Sequence, residues 1–407
     1  MTKDKSESED VCVIGGGLSG ACTAHRLLAA GKSVTIFDAR DRVGGRLLTA
    51  EGQGGGDLGG AWIWPKSEHA MQQFLDELGV KTVPMHLDGE TMVRTHDGRR
   101  HVLPSYDASR YAACGGGAVR VPSGAASIVQ RLLTSDNPNL TILLGLRVLS
   151  IDYSGDMVHI SYAKSDSNID ACETKLMKCS SAVLAAPPKV IAKTITFHPP
   201  LANNKMDCML GTQTWMSDYG KVSVSFPENW WRDLNMSAIS IDQMGAVSTW
   251  WEACSGENGD GTLPTLAGFV TRDGATLLQQ MGTGDALHDY VLQSLQDLYG
   301  VDVTAMGMPN HTADVATKGS VGIDGLIVSK GGIVVTYKSW LKDPFTNIQD
   351  GEKNDISVTT NYGDVCLQER VGPLFFAGTE SAHGSGHMEG AVISAKRVAT
   401  EVIQYLH

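Results

Sequence analysis

Apolar positions near the start of the chain follow first a strand pattern and then a helix pattern. The continuous apolar run Val11–Ile14 is typical of a buried strand, and apolar residues recur at helical spacing over residues 21–28. Gly31 stands where a helix C-cap is expected, and a second apolar run covers residues 33–37. This pattern predicts a strand, a helix and a second strand in immediate succession.

The same periodicities predict further elements along the chain. We expect helices over residues 67–79, 123–134, 285–299 and 390–406, a hairpin over 90–103, and strands near 140–144, 147–153, 156–163, 181–186, 219–226 and 373–377. Asp97-Gly98 is the expected hairpin turn, Ser123 the expected N-cap of its helix, and Pro187-Pro188 the expected end of a buried strand. The strand at 219–226 alternates as a half-buried strand would.

Glycines occupy the turn between the first strand and the first helix. Gly15 allows a tight turn, Gly17 lets a pyrophosphate approach the backbone, and Gly20 lets the helix pack on the sheet. Leu18-Ser19 lie at the helix N-terminus, which attracts phosphate charge. Asp38 ends the second strand and is placed to accept hydrogen bonds from a ribose diol. The unit therefore predicts a dinucleotide site, with NAD and FAD both open.

Nucleotide-fold signals lie at both ends of the chain, with long inserted material between them. At 407 residues the chain is long enough for two domains. We therefore predict an α/β fold, with a Rossmann-like dinucleotide-binding domain that is discontinuous in sequence and an inserted α+β substrate domain built on a mixed sheet.

The net charge and the cysteine content limit which partners and which cellular compartment we expect for the protein. A formal net charge of −12 argues against nucleic acid and anionic membrane surfaces. Residues 1–9 are polar and predicted to be disordered, and no apolar run is long enough to predict a membrane span. The eight cysteines form no C-x-x-C pair and show no zinc spacing, which indicates free thiols, no metal, and a cytoplasmic or other soluble reducing compartment. Assembly into a homo-oligomer is left open.

Four further segments make the chain similar to the flavin-dependent amine oxidase family, which includes monoamine and polyamine oxidases. They are Arg40-Asp41-Arg42-Val43-Gly44-Gly45-Arg46, then Asp57-Leu58-Gly59-Gly60-Ala61-Trp62, then Phe197-His198-Pro199-Pro200-Leu201 with Lys221 and Trp230-Trp231, and lastly Phe375-Phe376-Ala377-Gly378-Thr379-Glu380 with Gly386-His387-Met388-Glu389-Gly390-Ala391. The resemblance runs over almost the whole chain. It implies that the dinucleotide is FAD.

The glycine motif and the resemblance together indicate a set of cofactor-binding residues. They are Gly15, Gly17, Leu18, Ser19, Gly20, Asp38, Ala39, Arg40, Gly45, Arg46, Gly59, Gly60, Ala61, Trp62, Val148, Trp340, Gly378, Thr379, Glu380 and Met388. The glycines allow close backbone approach, and a guanidinium pairs well with phosphate. We expect residues 10–80, 119–196 and 360–407 to form the FAD-binding domain and residues 81–118 and 197–359 the substrate domain.

The resemblance implies an FAD-dependent oxidase that removes a hydride equivalent from the carbon beside a neutral amine of a small amine or amino acid. The imine hydrolyses to a carbonyl compound, and reoxidation by O2 gives hydrogen peroxide. Lys221 is the expected catalytic residue, since a lysine on this strand holds a water at the flavin N5 in the family. An inward-pointing lysine is partly desolvated, which lowers its pKa and suits it to proton handling.

The chain departs from the family where the substrate amine would bind. His387 replaces one of two framing aromatic rings, and we expect it to form a cage wall, bind an acidic or hydroxylated substrate, act as a base, or merely fill space. Trp340 matches the family's tryptophan, but the polar stretch after Asn347 lacks the second ring and the cysteine that carries covalent flavin. We therefore predict non-covalent FAD and no standard aromatic cage.

Other polar and aromatic residues are interpreted as structural. His383 is expected to fill space in a glycine-rich loop, and Asp343 and Glu352 are expected to be solvated loop charges. Trp230-Trp231 and Trp250-Trp251 are expected in the core or on a sheet face.

Two alternatives stay open. The same fold supports a flavin-dependent desaturase, dehydrogenase or isomerase acting on a non-amine substrate, because a fold does not fix a function. A flavoprotein without turnover is the third interpretation, against which the lysine at position 221 argues weakly.

Overall fold

The computed structural model describes residues 8–50, 56–104, 114–133, 136–166, 173–256, 262–281, 284–305, 326–348, 361–384 and 386–407. The strands are β1 (Ser8–Ile14), β2 (Val34–Phe37), β3 (Val83–Pro84), β4 (Glu90–Arg94), β5 (Arg100–Leu103), β6 (Val119–Arg120), β7 (Leu140–Leu143), β8 (Leu146–Asp152), β9 (Val158–Lys164), β10 (Lys175–Leu184), β11 (Thr196–His198), β12 (Gly220–Ser225), β13 (Met236–Asp242), β14 (Val247–Cys254), β15 (Thr265–Val270), β16 (Leu326–Lys330), β17 (Ile333–Ser339) and β18 (Leu374–Phe376).

The α-helices are α1 (Leu18–Ala29), α2 (His69–Leu78), α3 (Ala126–Leu132), α4 (Pro188–Thr194), α5 (Asn203–Gly211), α6 (Trp230–Asp233), α7 (Arg272–Gln280), α8 (Gly284–Tyr299), α9 (Val365–Gln368) and α10 (Met388–Tyr405). A short 3-10 helix covers Thr379–Ser381. No helix within the described ranges combines the length and the apolarity that crossing a bilayer requires.

The first eight-stranded sheet is built around β10. Its order is β11-β8-β9-β10-β1-β2-β7, and β18 pairs with the second half of β10. Strands β1, β2, β10 and β18 run parallel, so their carboxyl ends meet at one edge, which is where α/β sheets bind ligands. Helices α1, α2, α3 and α10 bury one face of this sheet, and α4 and α5 pack on the other.

The second eight-stranded sheet has the order β16-β17-β12-β15-β14-β13-β4-β5. Its neighbours are antiparallel except for β13 and β4, which run parallel, so the sheet is mixed. Helices α6, α7 and α8 cover one face. The predicted α/β class with a Rossmann-like unit and a mixed-sheet region is confirmed.

Helix and strand ends test the local predictions. The hairpin over residues 90–103 is confirmed, as is the helix over 285–299, which extends over Gly284–Tyr299. Strand 219–226 is confirmed, but the half-buried prediction is wrong, because all six residues of β12 are buried between neighbouring strands and packed layers.

Two boundary predictions are wrong. The strand expected at 181–186 begins at Lys175, because its first half pairs with β9. Ser123 does not cap α3: the helix begins at Ala126, and its first amides donate to the side chains of residues distant in sequence.

Candidate active site

A cavity of about 870 Å³ extends from the carboxyl ends of β1 and β2 to the inner face of the second sheet. Its lining includes every predicted cofactor and catalytic residue except Gly20 and Glu380. These two lie directly behind the wall, where Gly20 packs on the glycine turn and Glu380 pairs with a lining arginine. Residues predicted from segments hundreds of positions apart therefore share one cavity.

Glycines form the narrow end of this cavity. Gly15 has a φ of +109°, and a Cβ there would lie 2.9 Å from the carbonyl oxygen of Ala185. A Cβ on Gly20 would overlap the Gly15 carbonyl, so the helix packs against the turn only because residue 20 has no side chain. Gly45, at φ +57°, faces Gly17, and a Cβ on Gly45 would lie 3.1 Å from the Gly17 Cα. The turn and the glycine doublet thus form a cradle with bare backbone on both sides.

Asp38 holds the glycine turn in shape. Its Oδ2 accepts a hydrogen bond from the Gly16 amide at 2.8 Å, and its Oδ1 accepts one from the Arg40 amide at 2.9 Å. Burial raises the pKa of Asp38, while the charge of Arg40 and these amides act in the opposite direction. Asp38 also lines the cavity.

Arg40 is held by the second sheet. Its Nη2 donates to Asp343 Oδ1 at 2.6 Å and to Thr346 Oγ1 at 2.9 Å. Lys338 Nζ donates to the other oxygen of Asp343 at 2.8 Å. Burial alone would raise the pKa of Asp343, but the charges of Arg40 and Lys338 lower it overall. The prediction that Asp343 is a solvated loop charge is therefore wrong, because two cations from different elements enclose it.

A second ion pair lies behind the middle of the cavity. Arg46 Nη2 approaches Glu380 Oε1 to 2.8 Å, and the Glu380 side chain is completely buried. Neither oxygen of Glu380 makes a geometrically sound hydrogen bond with the described residues. The charge of this buried carboxylate is balanced by Arg46, which lines the cavity.

Lys221 lies on β12 and reaches the cavity through an aromatic enclosure. Its Nζ donates to the carbonyl oxygen of Gly59 at 2.6 Å. The ring centroids of Trp251 and Phe269 lie 5.0 Å from Nζ, and that of Trp62 lies 5.6 Å away. Burial lowers the pKa of Lys221 to about 8, and only the charge of Asp57 opposes this shift. The predicted lowering is confirmed.

Asp57 is the buried carboxylate next to this lysine. Burial raises the pKa of Asp57 to about 6. A hydrogen bond from Thr49 Oγ1 at 2.6 Å and the charge of Lys221 lower the pKa and offset part of this rise. The same carboxylate accepts the Ala125 amide at 3.0 and 3.1 Å. Asp57 therefore links the start of α3 to Lys221 on the second sheet.

His387 closes the wide end of the cavity together with residues that the sequence did not single out. Its Nδ1 lies 2.8 Å from Glu68 Oε1. The Trp64 ring stacks on the imidazole with centroids 5.1 Å apart and an interplanar angle of 24°, and Trp215 meets it edge-on at 6.0 Å. Glu68 fell within the helix predicted over residues 67–79, and only its position six residues after Trp62 could have drawn attention to it.

The tryptophans divide between cavity and core. Trp340 lines the cavity and donates its Nε1 to the carbonyl oxygen of Leu58 at 2.8 Å. Trp230-Trp231 and Trp250-Trp251 are buried, which confirms their interpretation as core residues. Trp251 also forms part of the enclosure around the lysine.

The remaining candidates that the structure describes are absent from the cavity lining. His383 is exposed in its loop. Seven cysteines in the described part of the chain are free thiols. Glu352, Cys172 and the expected disordered residues 1–7 lie outside the described residues.

Two family profiles match the chain. The profile described as flavin containing amine oxidoreductase matches residues 103–403, and that of an NAD(P)-binding Rossmann-like domain matches residues 13–78. Among curated relatives, amine oxidase [flavin-containing] B of Bos taurus is 24% identical over 97% of this chain and 86% of its own length. Putrescine oxidase of Kocuria rosea is 38% identical over 26% of this chain and 21% of its own length.

Solved structures share the fold. A putrescine oxidase bound to putrescine superposes with a TM-score of 0.71 at 19% identity, over 98% of this chain and 99% of the other. Cyclohexylamine oxidase from Brevibacterium oxydans gives a TM-score of 0.74 at 18% identity, with the same coverage.

Proposed function

Because the chain belongs to the family of flavin containing amine oxidoreductases, it is an FAD-dependent oxidoreductase, and we propose that it oxidises a small amine or amino acid. The products would be an imine, which hydrolyses to a carbonyl compound, and hydrogen peroxide from O2. The observation that carries the proposal is the single cavity that connects the glycine turn to Lys221 and His387.

The residues present fit FAD. The bare glycine cradle and the N-terminus of α1 suit the pyrophosphate, since backbone amides and the helix dipole attract anions. Asp38 lines the cavity beside this cradle and suits a ribose. Arg40 and Arg46 would add positive charge near the phosphates, although each is already paired with a carboxylate.

The flavin is proposed to be non-covalent. Among the described residues that line the cavity there is no cysteine to form a thioether. We also propose the division into an FAD-binding domain of residues 10–80, 119–196 and 360–407 and a substrate domain of residues 81–118 and 197–359. Free cysteines throughout the described chain favour a reducing compartment.

When bound, FAD supplies a hydride acceptor that O2 can reoxidise. The chain's own residues position the reactants and handle protons. Lys221 is proposed to hold a water at the reacting edge of the ring, because it lines the cavity and a pKa of about 8 leaves it able to exchange a proton. The rings of Trp62, Trp251 and Phe269 exclude bulk water around it, which strengthens every charge interaction in the site.

Anaerobic flavin reduction by a panel of primary amines, diamines and amino acids tests the proposal. The purified protein is expected to be yellow, to release its flavin in acid, to be bleached by at least one panel member, and to form one peroxide per turnover in air. A colourless protein that takes up no FAD would overturn the cofactor assignment. Reduction by non-amine alcohols or ketones alone would overturn the amine assignment and leave the flavoprotein assignment intact.

A further inference from the structure

We propose that Glu68 and His387 form a proton-accepting pair at the wide end of the cavity, in which His387 takes the proton of the substrate ammonium group and Glu68 positions the ring. This role rests on the proposed amine oxidation, because an ammonium ion has no lone pair and must lose a proton before the adjacent carbon can give up a hydride. The N–H bond breaks, its electron pair stays on the amine nitrogen, and the proton bonds to His387 Nε2.

Glu68 occupies a helix-cap position without acting as the cap. It directly precedes α2, where an acidic side chain ordinarily accepts hydrogen bonds from the first helical amides. Those amides, of Ala70 and Met71, donate instead to the carboxylate of Glu389 at 3.0 and 2.6 Å. The chain therefore supplies a second acid for capping, and the Glu68 carboxylate is directed to the imidazole.

The geometry selects one tautomer of His387. Glu68 Oε1 lies 2.8 Å from Nδ1, and a carboxylate can only accept, so Nδ1 donates. In the neutral ring the lone pair is then on Nε2. Glu68 is itself fixed, because its Oε2 accepts the Trp64 amide at 2.9 Å and its side chain is only 6% exposed. A carboxylate that orients a histidine in this way also stabilises the imidazolium that forms.

Two tryptophans hold the imidazole on its other sides. The Trp64 ring stacks on it and is anchored by donating its Nε1 to the Gly115 carbonyl at 2.8 Å. Trp215 reaches the ring edge because residue 386 is glycine: a Cβ there would lie 2.7 Å from the Cβ of Trp215. A cation against an indole face is favoured by about 0.5–2 kcal/mol, so this packing supports the protonated ring.

The surroundings of His387 carry several other charges. Glu389 follows it on α10 and bonds to the α2 amides, Glu380 on the 3-10 helix pairs with Arg46, and Lys221 on β12 lines the same cavity. Glu68 is a carboxylate in direct contact with the ring. The His387 side chain is 35% exposed, which leaves it accessible from the cavity.

The limiting rate of anaerobic flavin reduction at saturating amine, followed from pH 5 to 10, tests this role. Wild type is expected to show an ascending limb as the doubly protonated complex loses a proton. Glu68→Gln keeps one acceptor oxygen for Nδ1 and removes the charge, so its ascending limb should move to lower pH and its plateau should fall about tenfold. His387→Gln should lower the rate about 100-fold at pH 7 and move the limb to higher pH, towards the titration of the free amine.

Glu389→Gln is the matched control, because it removes a charge from the same helix junction. It should lower the thermal midpoint through the lost cap and leave the pH of the ascending limb unchanged. A second readout needs no substrate: the downfield NMR signal of the Nδ1 proton, which His387→Gln removes, should move upfield in Glu68→Gln because the charged acceptor is lost.

Two outcomes would overturn the pair. One is an ascending limb that is the same in wild type, Glu68→Gln and His387→Gln; the other is an Nδ1 proton signal of His387 that the Glu68 substitution leaves unchanged. Failure of the amine panel to reduce the flavin of the wild type, with the NMR coupling intact, would instead count against amine oxidation.

Discussion

At the scale of single residues, Lys221 shows how burial prepares a side chain for chemistry. Aromatic rings replace water around its ammonium group, and the charge of Asp57 offsets only part of the effect of burial on its pKa. The pKa of Lys221 is therefore about 8. The side chain is mostly charged at pH 7 and loses its proton in mildly alkaline solution.

Lys221→Met is expected to slow flavin reduction or reoxidation about 100-fold while FAD stays bound, since a proton-handling group contributes on the order of a hundredfold or more. Stopped-flow kinetics of the two half-reactions would identify the affected step. Lys221→Arg is the matched variant, because it keeps the positive charge. Wild-type kinetics in the methionine variant would remove Lys221 from the mechanism.

The pH dependence of Lys221 has a definite sign. Its pKa is lowered from the usual value to about 8, so the charged form decays as pH rises through 8. If the cation is the active form, the affected rate falls above pH 8 in wild type, and Lys221→Arg abolishes that fall. This descending limb is distinct from the ascending limb expected of the Glu68–His387 pair.

At the scale of elements, α3 shows a cap that no local pattern could reveal. Ser123 is the nearest residue of a capping type, and local reasoning selects it. The acceptors instead come from Asp57 and Thr49, on a segment that the fold brings from far upstream. Periodicity and glycine position predicted most helices and strands because those signals lie within the element itself.

Asp57→Ala is expected to destabilise the protein by about 1–2 kcal/mol, as loss of an N-cap does. Asp57→Asn keeps the capping acceptor and removes the charge, so its stability should stay close to wild type. Urea denaturation of both variants, with FAD bound, measures the difference. Equal destabilisation by alanine and asparagine would show that charge, not capping, is what this residue contributes.

At the scale of the whole molecule, the cavity exists because two sheets meet along it. Trp340, which follows β17, donates to the Leu58 carbonyl, and Lys221 on β12 donates to the Gly59 carbonyl. These two hydrogen bonds fix the loop that contains Leu58 and Gly59 to the second sheet. The glycine cradle could be predicted from sequence because its spacing is local. The burial of Asp343 and the contact of Glu68 with His387 could not, because each depends on how two distant segments pack.

Asp343 is the clearest case of a residue whose surroundings depend on how distant segments pack. It receives Arg40 from the nucleotide-binding region and Lys338 from β17, all three nearly inaccessible to water. Removing one partner of a buried ion pair costs about 3–5 kcal/mol, since the remaining charges lose their compensation. Asp343→Ala should therefore lower the free energy of unfolding by that amount, and with it the denaturation midpoint. It should also weaken FAD binding, because Arg40 lines the proposed cofactor cavity and loses its anchor.

Asp97→Ala is the matched control, because Asp97 pairs with Arg99 on an exposed turn and its loss should leave the midpoint unchanged. Denaturation followed with and without added FAD separates the two effects. Ligand that binds only the folded state raises the midpoint, so Asp343→Ala should show a smaller FAD-induced rise than wild type. An undiminished rise would mean that the cluster joins the sheets without shaping the cofactor site.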